Sequence, residues 1–200
     1  MDFKNNINYH CKLRRYAVCL LFIIAMLMNS TIVSCDRKMP ISNTFQEKTI
    51  EPKSQALRYA MNIFDSEIRN NIVRITQDER GIVISLVSDT FFSLASDQIN
   101  YEATKDVLQR LCNYLSSKEL TGMNFRVEGH TDNIYTIDPW ELTVGQAMSI
   151  LDSLIELGVD EKRFEVSAFG DTRPVANNDT PEGRAYNRRV DVIVLDPGHL

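Results

Sequence analysis

Short β-rich segments alternate with amphipathic helical segments through most of this chain. The run "NIVRITQDERGIVISLV" holds two β-rich stretches around a turn and predicts a hairpin. Three further strands are predicted by "FRVEGH", "RFEVSAFG" and "RRVDVIVL", and helical apolar spacing marks residues 101–117 and the segment ending near Leu157. Strands that alternate with helices pack as a sheet covered by helices. The sequence therefore predicts an α/β fold class, a two-layer α+β sandwich with βαβαβ-β order after an N-terminal helix and the hairpin.

The second long helix has well-marked ends. Asp138 offers an N-cap carboxylate, Pro139 suits the first helical position, and Glu141 follows three residues after the cap. Gly158 is typical of a residue that ends a helix. We therefore expect the helix to begin directly after Asp138.

The N-terminus predicts export and lipidation. Four basic residues (Lys4, Lys12, Arg14 and Arg15) precede the apolar run "YAVCLLFIIAMLM", which has the length of a signal-peptide core. The following "IVSC" resembles the lipobox of bacterial lipoproteins, which implies cleavage before Cys35 and lipidation of Cys35. An ordinary cleaved signal, or an anchor helix with an incidental cysteine, is the alternative.

These features divide the chain into four segments. Residues 1–34 are the predicted lipoprotein signal peptide, and 35–53 are the lipidated N-terminus and a polar tether without periodicity. A tether of about seventeen residues reaches on the order of 55 Å when extended. Residues 54–71 form a predicted N-terminal helix, and 72–196 form the folded domain.

Charge and cysteine content narrow the function classes. The net charge is −5, and removing residues 1–34 leaves 18 basic against 26 acidic residues, or −8. Such an acidic domain is a poor candidate for binding nucleic acid. With Cys35 acylated, Cys112 has no partner for a disulfide, and its place in an amphipathic helix predicts a small packed side chain.

Motifs for catalysis and metal binding are not found in the sequence. It contains three histidines, His10, His130 and His199, and lacks CxxC, HExxH, G-x-S-x-G and phosphate-binding glycine patterns. We interpret His130 as a hydrogen-bonded residue that braces a turn. The sequence thus predicts a protein that is not an enzyme and has no metal or cofactor.

One acidic residue and a group of arginines remain as candidates for ligand binding. Asp132 follows the "FRVEGH" strand, and Arg184, Arg188 and Arg189 lie near the end of the chain. Arginine presents a planar fork that suits carboxylates. Together these residues could bind a ligand that carries both an ammonium and a carboxylate. A surface salt-bridge network is the alternative.

Three motifs resemble one known family. The stretches "VEGHTDN", "WELTVGQA" and "LGVDEKRFEVSAFGDTRPVANNDTPEGRAYNRRVDV" are similar to the OmpA-like peptidoglycan-binding domain, above all to its form in MotB-type stator proteins, over residues 72–195. The resemblance implies a β/α sandwich that binds the stem peptide of peptidoglycan without catalysis.

The resemblance also implies site residues. In the family, the aspartate of the "HTD" element binds the amino-acid end of diaminopimelate, which gives that role to Asp132, with Thr131 beside it. The "NRRV" element implies Arg188 and Arg189, one facing the ligand and the other bracing the sheet. The further expected site residues are Phe92, with Ser93 beside it, at the border of the groove, and Leu142 and Gln146 on the helix after Asp138.

Gln146 departs from the family pattern. The family helix carries an arginine that pairs with the diaminopimelate carboxylate, and Gln146 stands in its place. Losing a charge-assisted pair costs about 1.5–3 kcal/mol. Three explanations stay open: weak binding, substitution by another arginine, or a wall built on ornithine or lysine, which lack that second carboxylate. We expect the Gln146 side chain to lean toward the rim where Asp132 lies.

The sequence thus predicts a lipid-anchored envelope protein that faces the periplasm and tethers a membrane to peptidoglycan. Its expected partners are peptidoglycan, the membrane that holds Cys35 and other envelope proteins. Asp36 beside Cys35 favours inner-membrane retention in some bacteria, whereas the function of the domain favours the outer membrane, as in Pal-type lipoproteins. A structural or protein-interaction module that has lost strong diaminopimelate binding is the alternative function.

The predicted anchor is tested by Cys35→Ser. The variant should leave the precursor unprocessed or release a soluble chain, because the predicted mature chain contains no second acylation site. Detergent-phase partitioning and the size of the product measure this. A variant that is fully processed and still enters the detergent phase would contradict the lipoprotein assignment.

Overall fold

The computed structural model describes residues 55–134 and 138–197. The predicted signal peptide, Cys35 and the tether therefore lie outside the described residues. Within the described part of the chain, no helix has the length and hydropathy needed to cross a membrane.

A five-stranded mixed sheet forms one layer. Its strands are β1 (Val73–Asp78), β2 (Gly81–Val87), β3 (Phe125–His130), β4 (Phe164–Ala168) and β5 (Arg189–Leu195). The spatial order is β1-β2-β5-β3-β4. β3 and β4 run parallel, and the other neighbours are antiparallel. The predicted hairpin is β1 and β2, whose last paired residues are Asp78 and Gly81.

Six α-helices accompany the sheet among the described residues. They are α1 (Gln55–Ile63), α2 (Asp65–Arg69), α3 (Ser88–Phe91), α4 (Tyr101–Leu115), α5 (Pro139–Glu156) and α6 (Pro181–Asn187). α5 begins as predicted: the Asp138 carboxylate accepts hydrogen bonds from the backbone N–H groups of Trp140 and Glu141, at 2.8 and 3.2 Å. Gly158 follows the helix end with φ of 107°.

The main core lies between the sheet and the two long helices. Alternate residues of β2, β5 and β3 face α4 and α5, as the period of two in strands requires. The core side chains from these elements are Ile82, Ile84, Leu86, Val107, Leu108, Leu111, Cys112, Tyr114, Leu115, Phe125, Val127, Ala147, Ile150, Leu154, Val190, Val192 and Val194. The α/β fold class and the layered architecture are thereby confirmed.

One local prediction differs from the structure. The helix expected over 54–71 is two helices separated at Phe64, whose ring is buried against Tyr114. Two short helices were not predicted: α3 lies between β2 and α4, and α6 lies before β5. Thr180 caps α6 by accepting a hydrogen bond from the Gly183 N–H at 3.1 Å. Thr180 followed by Pro181 is a sequence pattern typical of a helix start.

Cys112 is buried in α4, as the sequence predicts. Its thiol donates to the carbonyl of Leu157 at 3.3 Å. Burial raises the pKa of this thiol. A protonated, packed thiol makes a poor nucleophile.

Gly129 sets the spacing between β3 and α5. A Cβ at this position would lie 2.1 Å from the carbonyl oxygen of Thr143. The strand can therefore approach the helix only without a side chain here. The close approach brings the end of β3 next to the start of α5, where the residues after His130 meet the helix.

Gly129→Ala should lower the free energy of unfolding by about 2–3 kcal/mol, because the backbone of α5 must move away. Gly122→Ala is the control, since no atom lies within 4 Å of its Cβ and the cost there is only that of its positive φ of 77°, about 1 kcal/mol. Urea unfolding measures both variants. Equal losses would show that the β3–α5 contact tolerates a methyl group.

Candidate functional site

A groove with a cavity volume of about 490 Å³ opens where β3 ends and α5 begins. Four stretches of chain supply its lining: Ser88, Asp89 and Phe92–Ala95; Thr131, Asp132 and Ile134; Pro139, Leu142 and Gln146; and Arg184 and Arg188. Six of the seven residues predicted from the sequence line this groove, namely Phe92, Thr131, Asp132, Leu142, Gln146 and Arg188. Ser93, the other residue expected at its border, lines it as well.

Asp132 is held on both of its carboxylate oxygens. Oδ1 accepts a hydrogen bond from the Ile134 N–H at 2.8 Å, and Oδ2 accepts one from Nη1 of Arg188. The residue is only 4% exposed. The preceding Thr131 N–H donates to the carbonyl of Gly170 at 2.9 Å, which fixes the chain as it leaves β3. Asp132 is therefore a rigid acceptor at the groove wall.

Arg188 joins Asp132 to a second carboxylate, that of Asp89. Its Nε and Nη2 donate to the two Asp89 oxygens at 2.7 and 2.6 Å, while Nη1 donates to Asp132. The hydrogen bonds to Asp89 and then to Asp132 raise the pKa of Arg188 above its ordinary value, against the effect of burial. Two carboxylates around one guanidinium give this triad a net charge of −1.

Gln146 lines the groove, but its amide forms hydrogen bonds with other residues of the protein. Nε2 donates to the carbonyl of Ser96 at 2.9 Å, and Oε1 accepts from the hydroxyl of Ser88 at 3.2 Å. The side chain is 4% exposed. The neighbouring Gly145 lets the same loop approach, because a Cβ there would lie 2.8 Å from Asp97. Gln146 and Gly145 thus fix the loop that forms one wall of the groove.

Arg184 is the second guanidinium of the groove. It lies one helical turn before Arg188, whose N–H donates to the Arg184 carbonyl at 3.0 Å. Its Nη1 donates to the carbonyl of Asn178 at 2.9 Å. Within the described chain it pairs with no carboxylate.

Arg189 does not line the groove. It lies on the opposite face of β5, 4% exposed, where its Nε donates to Asp191 at 3.0 Å. Its other contacts are the carbonyls of Asn187 and Arg173. The sequence left open which arginine faces the ligand; the geometry puts Arg188 in the groove and Arg189 in the bracing position.

A buried polar cluster surrounds Arg189 on that face of the sheet. His130 Nε2 lies 3.6 Å from a carboxylate oxygen of Glu128 and from one of Asp191. Those oxygens already accept from Arg80 and Arg189, at 2.6 and 3.0 Å. Burial would raise the pKa of Glu128, but His130 and Arg80 hold it below its ordinary value of 4.5.

These contacts correct the prediction for His130. Neither of its ring nitrogens has a hydrogen-bond partner within the described residues, so it does not brace a turn by hydrogen bonding. Its ring stacks on Phe169 with centroids 5.4 Å apart. The ligand atoms of Glu128, His130 and Asp191 lie within 4.8 Å of one another, but a metal ion there would compete with two guanidiniums for the same oxygens.

Sequence reasoning missed several groove residues. Asp89 pairs with Arg188 across 99 residues of chain, and no local pattern indicates such a contact. Leu94 and Ile134 are strongly exposed apolar side chains at the rim, 95% and 61% exposed. Ala95 adopts a positive φ of 50°, a conformation that is uncommon for alanine.

Comparisons with known proteins identify a family match and relatives of this chain. Residues 91–188 match the model of the OmpA family. The chain is 30% identical over 159 residues to motility protein B of Bacillus subtilis (strain 168), covering 76% of this chain and 58% of that protein. It is 29% identical over 144 residues to the probable lipoprotein YiaD of Escherichia coli (strain K12), covering 70% and 64%. It thus spans less than two thirds of either relative.

A solved structure shares the fold. The cell wall anchor of the T6SS from Pseudomonas aeruginosa superposes with a TM-score of 0.61 at 27% identity, over 68% of this chain and 96% of that one. No catalytic family is indicated by these matches. Sequence and fold together show that this chain contains an OmpA family domain, with the family match at residues 91–188.

Proposed function

We propose that this protein binds the stem peptide of peptidoglycan without catalysis and tethers a membrane to the cell wall. The observation that supports this most directly is the position of Asp132. It follows β3 in the same groove as Phe92, Leu142 and Arg188, the residues that the family resemblance assigns to ligand binding. The similarity of the fold to the cell wall anchor of the T6SS from Pseudomonas aeruginosa supports the same function.

The groove suits a small ligand with an amine. Asp132 keeps lone pairs beyond the two hydrogen bonds that fix it, and the triad with Asp89 and Arg188 has a net negative charge. Phe92, Leu142 and the exposed Leu94 supply apolar surface for the rest of a peptide. A few fixed polar groups in an otherwise apolar cleft are typical of binding sites.

The proposed membrane anchor is a lipidated Cys35. A lipidated Cys35 followed by an extended tether of about seventeen residues would let the domain reach peptidoglycan from a membrane surface. The similarity to a probable lipoprotein supports lipidation. We assign the protein to the cell envelope facing the periplasm, on the outer membrane rather than the inner one.

A protein-interaction module is the second candidate. The Gln146 amide is hydrogen-bonded to Ser88 and Ser96, and it offers a ligand no charged donor. In addition, Trp140, Val144 and Met148 expose an apolar stripe at i, i+4 spacing along α5, at 49%, 47% and 39% exposure. If this module is the function, purified peptidoglycan sacculi should not retain the protein.

Asp132→Asn should reduce co-sedimentation with sacculi at least tenfold, because it removes the charge that binds an ammonium and keeps the acceptor for the Ile134 N–H. The free energy of unfolding should fall by no more than about 2 kcal/mol, since Arg188 keeps its bidentate pair with Asp89.

Asp152→Asn is the matched control, an exposed carboxylate on α5 that does not line the groove. It changes the net charge equally and should bind as the unaltered protein does. Equal binding by all three proteins would contradict the role of Asp132, and no retention of any of them would favour the interaction module.

A further inference from the structure

The charged residues of the groove fall into two groups of opposite sign. Asp89, Arg188 and Asp132 form the triad with a net charge of −1. Arg184 carries a positive charge that no carboxylate of the described residues neutralises by an ion pair. The groove therefore offers a site for a cation beside a site for an anion.

Arg188 is poorly suited to bind an anion itself. Each of its three nitrogens already donates to a carboxylate oxygen of Asp89 or Asp132. An anion approaching this guanidinium would also meet the two negative charges that surround it. Arg188 acts as a positioning residue that holds Asp89 and Asp132 at the groove.

Arg184 has the opposite properties. One of its nitrogens is anchored on the carbonyl of Asn178, which leaves Nε and Nη2 without a hydrogen bond in the described structure. Because it lies one turn from Arg188 at the same groove, the two Cβ atoms are about 5–6 Å apart. A planar fork with free donors beside a carboxylate can bind the carboxylate of a ligand whose ammonium reaches Asp132.

Gln146 cannot compete with Arg184 for this role. Its amide is neutral, and its nitrogen and oxygen are hydrogen-bonded to Ser96 and Ser88 in a buried side chain. It therefore offers the carboxylate of a ligand no charged donor.

We infer that Arg184 binds the carboxylate, and Asp132 the ammonium, of a free amino-acid end in the stem peptide. This inference rests on the proposed function and adds which diamino acid of the stem peptide the groove prefers. The ligand class is a stem peptide whose diamino acid ends in both groups, as diaminopimelate does. Where the diamino acid of the stem peptide is lysine, ornithine or amidated diaminopimelate, its side-chain end has only the ammonium.

The test compares soluble muropeptides by titration calorimetry with the full chain in detergent. The ligands are three: diaminopimelate muropeptide, its form with that carboxylate amidated, and lysine muropeptide. The unaltered protein should bind the first about tenfold or more tightly than the other two, the value of one charged hydrogen bond. Arg184→Gln should abolish this preference by weakening only the first, and Arg184→Lys should restore part of it.

Arg69→Gln is the control, because it removes the same charge from an exposed residue of α2 that does not line the groove. It should keep the full preference. A ratio between ligands is unaffected by a general loss of folded protein, so a structural role of Arg184 would lower all three affinities together.

The outcomes separate this inference from the proposed function. Equal binding of all three muropeptides by the unaltered protein, or an unchanged preference in Arg184→Gln, would overturn the role of Arg184 and leave peptidoglycan binding in place. Binding to none of the muropeptides would overturn the proposed function and the inference with it.

Discussion

The guanidinium of Arg188 ties together three stretches of chain that are far apart in sequence. Arg188 lies directly before β5, pairs with Asp89 in α3, and donates to Asp132 beyond the end of β3. Asp132 has little exposed surface, so its negative charge would be costly there without this partner. The ion triad therefore fixes the position of the acid on which the proposed function depends, and it sets the sign of the charge at that end of the groove.

The opposite wall of the groove depends on α5. Gly129 allows β3 and α5 to approach, and Gly145 with Gln146 holds the loop that carries Phe92–Ala95. A groove whose walls are fixed before a ligand arrives spends less free energy on ordering when it binds. Gln146 fits this role better than that of a ligand contact, because both ends of its amide are already hydrogen-bonded. The groove can then tolerate a neutral residue at this position if a charged group elsewhere binds the anion.

The fold and much of the groove could be predicted because they depend on local patterns. Alternating strands, the Asp138 N-cap and the "HTD" element follow from neighbouring residues and from the family resemblance. The pairing of Asp89 with Arg188 could not be predicted, since it joins distant residues and depends on where α3 begins. The same limit applied to Arg188 and Arg189: neighbouring residues in extended backbone point to opposite sides, but only the folded structure shows that Arg188 is the one that lines the groove. His130 was misjudged because its surroundings come from β5 and the Phe169 loop.

The proposed function depends above all on the groove at Asp132 holding the stem peptide. A structure of this protein with a bound diaminopimelate muropeptide would show whether it does. We expect the ammonium of the amino-acid end within hydrogen-bond distance of the Asp132 carboxylate and the neighbouring carboxylate of the ligand on Arg184. A muropeptide bound elsewhere, for example along the exposed stripe of Trp140, Val144 and Met148, with the groove empty, would contradict this function for the groove.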